Sequence, residues 1–302
     1  EDEDKEEEEK KKDDEEEEKK EEKDSIELDD TTMTATTIDE TEDEFEIAPD
    51  PNRAIDTNQV DIENPKIIKR FQIHYKMIRG DVPRTYPQHP YYQLEENREA
   101  LGRVLSAYAF HNTAVGYCQG LNFVGGMMLL VMNDEEKAFW TLHRIIESYL
   151  PADMYSDNMK GLFCEANVLQ RLLEDRKPKL YKHMMQVTPH FETFCTQWFL
   201  CLYCGTMPVE TTLRIWDAFF LESYKILYRV ALTLLTEIEP QLMAADDMGA
   251  MIPLLQESPM MLYDCRSFIK RAFKIRRFRR TTILKHRTAW RHAHVPGSMD
   301  ID

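Results

Sequence analysis

The sequence predicts an all-α domain behind a disordered acidic tail, and three observations carry that expectation. Apolar residues recur at three- and four-residue intervals from Asn64-Pro65 onward, the spacing that gives a helix one buried face. No apolar/polar alternation runs long enough to compete as a strand. Charge divides the chain near position 65. Residues 1–24 hold 17 Asp/Glu against 7 Lys, and residues 25–64 hold 13 acidic residues against Arg53 alone, so the net charge is −22 before position 65 and +5 after it. The formal charge of −17 therefore describes the tail and says nothing about the folded part. Residues 1–64 lack the apolar surface needed to offset chain entropy and are expected to be disordered, with transient helix in 1–24.

The remaining chain is long enough for one large helical core. A helix opens at Pro65 with Ile67, Ile68, Phe71, Ile73 and Tyr75. Pro83, Pro87 and Pro90 then crowd together, and proline's missing donor and its effect on the preceding residue make 81–92 an ordered loop or broken turn. Helical period resumes from Leu94 to Tyr108, with Leu101, Val104, Leu105 and Tyr108 on one stripe. Past the glycine-flanked segment 116–120, helices are expected at about 120–132, 135–149, 159–175, 178–186, 190–204, 208–221 and 224–238. Pro151-Ala-Asp153, Pro178, Thr188-Pro189, Gly205 to Pro208 and Pro240 separate them as breaks or first-turn prolines. Short connections without a fixed period describe an irregular helical array, not a solenoid. The expected division is a tail over 1–64, a domain over 65–265 and a basic C-terminal helix and tail over 266–302.

Several function classes fall away at this point. The longest apolar run, Leu121 to Met132, is interrupted by Asn122, Gly125 and Gly126, well short of the roughly 20 residues a membrane span needs. With no secretory signal visible, the expected location is cytoplasmic. Six cysteines at 118, 164, 195, 201, 204 and 265 lie scattered in apolar stretches. The Cys201/Cys204 pair has no second CxxC or HxxxH to complete four metal ligands, so core packing is expected and no metal. There is no GxxxxGK[ST] loop, so the chain is not itself a GTPase. Residues 266–292 contain 11 Lys/Arg and no Asp/Glu, with Phe268, Phe273, Ile275, Phe278, Ile283, Leu284 and Trp290 interspersed. That composition fits a terminal helix docking its apolar side on the domain. It also fits contact with anionic membrane at the periphery of endomembranes, or with an acidic partner, including the chain's own tail; nucleic acid is not expected.

Two places embed polar residues where a helical scaffold has little reason to keep them. In Ile78-Arg-Gly-Asp-Val-Pro-Arg84, Arg84 sits in the proline-stiffened loop with Asp81 spaced to hold its guanidinium or cap the local backbone. Taken alone, an arginine near an acid is more often a surface ion pair. In Gly116-Tyr-Cys-Gln-Gly120, the glycines permit non-helical dihedrals, and an extended stretch points Tyr117 and Gln119 to the same side. A glutamine so displayed can orient a water, although in isolation such a residue is more often a polar loop residue bonded to a neighbouring backbone.

These places occur in order with further signatures. The chain resembles the TBC family at IxxDxxR (Ile78, Asp81, Arg84), at YxQ (Tyr117, Gln119) within Gly116-Tyr-Cys-Gln-Gly-Leu-Asn-Phe123, at Phe139-Trp140, at Gln197-Trp198-Phe199 and at Leu213-Arg-Ile-Trp-Asp217. Val209 to Asp217 and Tyr228 to Leu234 look most like the growth-hormone-regulated TBC protein subgroup. The resemblance implies an irregular multi-helix TBC (Rab-GAP) domain that stimulates GTP hydrolysis by a Rab-type small GTPase in intracellular transport. It implies that Arg84 is the arginine finger and Gln119 the glutamine finger, supplied in trans. Ile78, Asp81 and Tyr117 would support them and contact the GTPase. Trp198, Arg214, Trp216 and Asp217 would be structural, the last three as a buried ion pair beside an indole. No cofactor is implied for this chain; magnesium and GTP belong to the partner. The chain departs from the family where a basic-Gly-Ile/Val-Pro stretch and a Trp-containing helix usually precede the arginine loop; acidic tail and the short run 65–77 stand there instead. The alternative is therefore a catalytically impaired module on the same fold that docks a GTPase or another trafficking partner.

Overall fold

A computed structural model describes residues 64–294 apart from 152, 157 and 189–191 and the side chains of 192–194, and these residues form helices and turns with no strand among them. The expected disorder of the acidic tail lies outside the described residues.

Helix α1, Pro65–Asp81, starts at Asn64, whose side chain accepts from the Lys66 N–H at 3.0 Å, with Pro65 where a missing donor costs nothing. Its inward face is Ile67, Arg70, Phe71, His74, Ile78 and Asp81, while Ile68, Ile73 and Tyr75 are exposed. Of the five apolar residues that announce the helix, only two turn inward. Between 81 and 92 the prolines leave a 3-10 turn, Val82–Arg84, and a four-residue helix α2, Pro90–Gln93. Helix α3, Glu95–His111, buries Leu101, Val104, Leu105 and Tyr108 as the stripe predicted.

Helix α4, Leu121–Met132, ends at Asn133 in the left-handed region (φ 47°), and Asp134 caps α5, Glu135–Arg144, by accepting from the Lys137 N–H at 3.0 Å. Helices α3, α4 and α5 pack on one another, and α1 packs on α3. The helix expected over 135–149 widens at Ile145–Tyr149 into a π turn, a form that often marks a local demand on a side chain. Here the turn brings Glu147 to accept from Tyr108 Oη at 3.0 Å and from Asn112 Nδ2.

The chain continues through α6 (Lys160–Arg176), α7 (Pro178–Val187), α8 (Glu192–Leu200), α9 (Val209–Glu222) and α10 (Lys225–Glu237). The helix expected to reach 204 stops at Leu200, because Leu202, Tyr203 and Gly205 take φ of 48°, 66° and 73°. Left-handed dihedrals at non-glycine residues cost roughly 1–3 kcal/mol each. Buried bonds offset the cost: Trp216 Nε1 donates to the Leu202 carbonyl at 2.9 Å, and Tyr203 Oη to the Leu227 carbonyl at 2.7 Å. Two helices escaped the sequence reading, α11 (Glu239–Ala244) and α12 (Met248–Glu257), since Pro240 opens the first and Pro253 lies inside the second.

Trp198 and Trp216 are buried, with Trp198 stacked on Tyr203 at 6.3 Å. Arg214 and Asp217 are not the buried pair expected. Their side chains are 54% and 66% exposed, and Arg214 is shared between Asp217 (3.1 Å) and Glu210 (2.9 Å). The reason is helical: Ile215, Trp216 and Phe219 occupy the inward stripe of α9, which leaves 214 and 217 on the solvent side.

The basic end docks. Helices α13 (Cys265–Phe273) and α14 (Arg280–His294) bury Phe268, Ala272 and Ile283, as does Phe278 between them, α13 packing on α9 and α10 and α14 on α6. The junction is ionic at its centre. Arg287 holds Glu165 through two bonds of 2.7 Å, Tyr228 Oη donates to the same carboxylate, and Arg287 lies 4.3 Å over the Tyr224 ring. Among the described residues no helix is long and apolar enough to cross a membrane.

All six cysteines are free and buried. Burial, helped by the neighbouring Cys118, pushes the Cys201 thiol up to about 12.

Three outcomes follow from this packing. Arg287→Ala, which strands Glu165 without a counter-charge, is expected to destabilise the domain by about 3–5 kcal/mol in denaturant titration. Arg214→Ala, which removes the exposed pairs with Glu210 and Asp217, should leave the denaturation midpoint within error of wild type. Alkylation of Cys201 at pH 8 should run more than ~100-fold slower in the folded domain than in urea, because a raised thiol holds little thiolate there; equal rates would show the site open.

Candidate functional site

The arginine loop and the glutamine loop meet at the Asp81 carboxylate, the last residue of α1. Its Oδ1 accepts from Arg84 Nη2 at 2.6 Å and its Oδ2 from Tyr117 Oη at 2.6 Å. Asp81 is buried, its side chain 10% exposed, whereas the Arg84 side chain is 54% exposed. The guanidinium is therefore held from one side and open on the other. The guanidinium end of the pair is open to solvent and can turn to another acceptor, while the bond from Tyr117 stays on the Asp81 carboxylate. Burial first, and then the bond to Asp81, pushes the Tyr117 phenol far above its ordinary range, so Tyr117 donates at any physiological pH. Burial and the nearby Asp81 charge raise the Cys118 thiol to about 11.

A second buried bridge runs parallel to the first. Thr85 Oγ1 donates to the Asp81 carbonyl at 2.9 Å and accepts from Asn122 Nδ2 at 2.8 Å, while Asn122 Oδ1 accepts from the Gly120 N–H at 3.0 Å. Thr85 and Asn122 are 1% and 0% exposed, so each polar atom must find its partner inside. These two residues were missed from the sequence. Asn122 gave a signal, as the polar residue that breaks the longest apolar run; Thr85 gave none. The rest of the arginine loop is fastened to α4 by Tyr86 Oη to the Phe123 carbonyl (3.0 Å) and Tyr92 Oη to the Gly126 carbonyl (2.6 Å).

The glutamine loop is tied along its length. Asn112 Oδ1 accepts from the Ala114 and Val115 N–H groups at 3.0 Å each, a side-chain turn that starts the loop. Arg70 Nη2 donates to the Ala114 carbonyl at 3.3 Å, and the Tyr117 N–H donates to His74 Nδ1 at 3.2 Å. Gly120 ends it at φ 109°, where an added Cβ would lie 2.9 Å from Leu200 Cγ. The extended alternation expected for 117–119 does not describe the result: Tyr117 and Cys118 are buried and Gln119 is exposed. The phenol serves as an internal anchor, and the carboxamide two residues on is the group presented to solvent. Two residues reach about 7 Å at most, so Gln119 stays close to the residue clasped with Arg84.

Ile78, 1% exposed, is part of the core under this site. Trp198, Arg214, Trp216 and Asp217 lie elsewhere, on α8 and α9. Among the described residues no group of three or more His, Cys, Asp or Glu side chains is arranged to hold a metal ion.

The chain has relatives of known kind. A model of the Rab-GTPase-TBC domain matches residues 46–243, so the match begins ahead of α1. Growth hormone-regulated TBC protein 1-A of Danio rerio is 37% identical over 202 residues, which are 65% of this chain and 56% of that protein. Growth hormone-regulated TBC protein 1 of Xenopus laevis is 35% identical over 216 residues, 70% of this chain and 61% of that protein. The chain thus spans about three fifths of the length of these relatives. Among solved structures, the Chlamydomonas flagellar RabGAP TBC domain superposes with a TM-score of 0.60 at 31% identity, covering 68% of this chain and 71% of that one. The Ypt/Rab-GAP domain of Gyp1p superposes with the same score at 23% identity over 68% and 73% of the two chains, a likeness of fold. With the family model covering most of the chain and these relatives beside it, the chain belongs to the Rab-GTPase-TBC domain family.

Proposed function

We propose that the domain stimulates GTP hydrolysis by a Rab-type small GTPase in its GTP form, with Arg84 as an arginine finger and Gln119 as a glutamine finger supplied in trans. The observation that carries the reading is the shared clasp: Asp81 bonds both Arg84 and Tyr117, leaving one guanidinium and one carboxamide exposed on adjoining loops. Family membership and the solved RabGAP relative support it.

Phosphoryl transfer asks a protein mainly for positioning and for charge near the developing negative oxygens. A guanidinium, always charged and planar, supplies that charge. On docking, Arg84 turns from Asp81 toward the partner's phosphates, while Tyr117 keeps the carboxylate and Thr85 and Asn122 hold the backbone. Gln119 orients the attacking water. Nucleotide and magnesium are the GTPase's own, and this chain brings no cofactor. Ile78, Asp81 and Tyr117 act as supports. The exposed Lys274, Arg276, Arg277 and Arg279 between α13 and α14 suit peripheral contact with an anionic membrane surface in a cytoplasmic, trafficking role.

Phosphate release from a panel of GTP-loaded Rabs tests this reading. One or more should respond, and Arg84→Ala should lower the stimulated rate by roughly 10³-fold or more. Arg84→Lys should fail comparably, because an ammonium lacks the planar fork. Gln119→Ala should lose activity even on a Rab whose own glutamine is intact. Binding of a Rab without acceleration would instead assign the domain to docking alone.

A further inference from the structure

We infer that His74 on α1 is a positioning residue for the glutamine loop, acting through the Tyr117 backbone; the inference rests on the role proposed for Gln119. The direction of the bond fixes the chemistry. A backbone N–H can only donate, so His74 Nδ1, 3.2 Å from the Tyr117 nitrogen, is the acceptor. The imidazole is therefore in the form that leaves Nδ1 unprotonated.

The ring also shapes the backbone beside it. Gly116 sits at φ 64°, and a Cβ built on it would lie 2.3 Å from His74 Nε2 and 2.6 Å from Cε1. Glycine at 116 thus answers two demands: a left-handed dihedral and a face flat enough for an imidazole to lie against. One turn earlier on the same helix face, Arg70 holds the Ala114 carbonyl at 3.3 Å. Two turns later, the same face delivers Asp81 to Tyr117 Oη. Helix α1 therefore grips the loop at Ala114, at the Tyr117 amide and at the Tyr117 hydroxyl, and the arginine loop leaves from its C-terminal end. Both exposed fingers are registered against one rigid element.

His74 touches neither finger, so its role is positioning. Removing it leaves the Tyr117 amide without its acceptor and loosens the loop between the Arg70 and Asp81 ties, and a displacement near 1 Å at a reacting group can cost about 10²-fold in rate.

The test separates acceptor geometry from bulk. Asparagine places an oxygen near the site of Nδ1; glutamine places its oxygen near the site of Nε2. In the full chain, His74→Asn is expected to keep stimulated hydrolysis within a few-fold of wild type. His74→Gln and His74→Ala should lower kcat by roughly 10-fold to 10²-fold with the KM for the GTPase little changed. Amide exchange at Tyr117, followed in the same proteins, should accelerate by about 10-fold or more in the Ala and Gln variants and stay slow in the Asn variant. Equal kcat for Asn and Gln at equal melting temperature, or unaltered Tyr117 exchange in His74→Ala, would overturn the inference. Accelerated exchange with an unchanged kcat would overturn it too. Insensitivity of the rate to Gln119→Ala would sink the glutamine-finger reading instead, while the exchange data would still decide whether His74 anchors the loop.

Discussion

One carboxylate organises this site. Asp81 stands where α1 gives way to the proline-broken loop, and its two oxygens are taken by groups from different loops, Arg84 on one side and Tyr117 on the other. The two bonds differ in kind. Tyr117 is buried, so losing that acceptor would leave an unsatisfied buried donor, a cost of about 1–3 kcal/mol. Arg84 is half in solvent, so water or a partner's acceptor can replace its bond. The same residue thus fixes one loop firmly and holds the other loosely, which suits a charge that must be presented in a defined place and then handed to a partner.

Everything near this carboxylate limits backbone freedom. Thr85 and Asn122 repeat the cross-link one layer deeper, Asn112 starts the glutamine loop, and Gly120 ends it with a dihedral that other residues resist. The effect is to spend folding energy on geometry at two exposed side-chain tips. The remote parts of the domain serve this indirectly. The ionic junction of Glu165, Arg287 and Tyr228 closes α14 on α6, and the strained turn after α8 brings Leu200 and Cys201 against Gly120.

Much of this was legible in the residues. Three- and four-residue spacing located helices such as α3 because each has a buried stripe, the continuous apolar runs located α4 and α10, which are buried nearly all round, and the IxxDxxR and YxQ patterns located both loops because they place polar groups where helices do not want them. The failures share a cause: local pattern cannot see tertiary partners. The end of α8 was placed too late since Leu202 and Tyr203 carry ordinary apolar side chains while adopting left-handed backbone. The buried pair of Arg214 and Asp217 is an expectation of the resemblance, and it fails because the helix that turns Trp216 to the core turns its neighbours to solvent. α12 was overlooked because Pro253 argues against a helix unless packing overrides it. His74, Thr85 and Asn122 matter through bonds to residues 37 to 43 positions away, a distance over which sequence gives no pairing rule.

The most direct test of the central clasp is the stimulated hydrolysis rate of Asp81→Asn on a responsive Rab. Asparagine keeps an oxygen for Tyr117 but cannot hold Arg84 as an ion pair. The expected result is a folded domain whose rate falls by roughly 10-fold or more, between wild type and Arg84→Ala. A rate equal to wild type, in a protein whose activity still depends on Arg84 and Gln119, would show that the carboxylate does not organise the two loops and would contradict it.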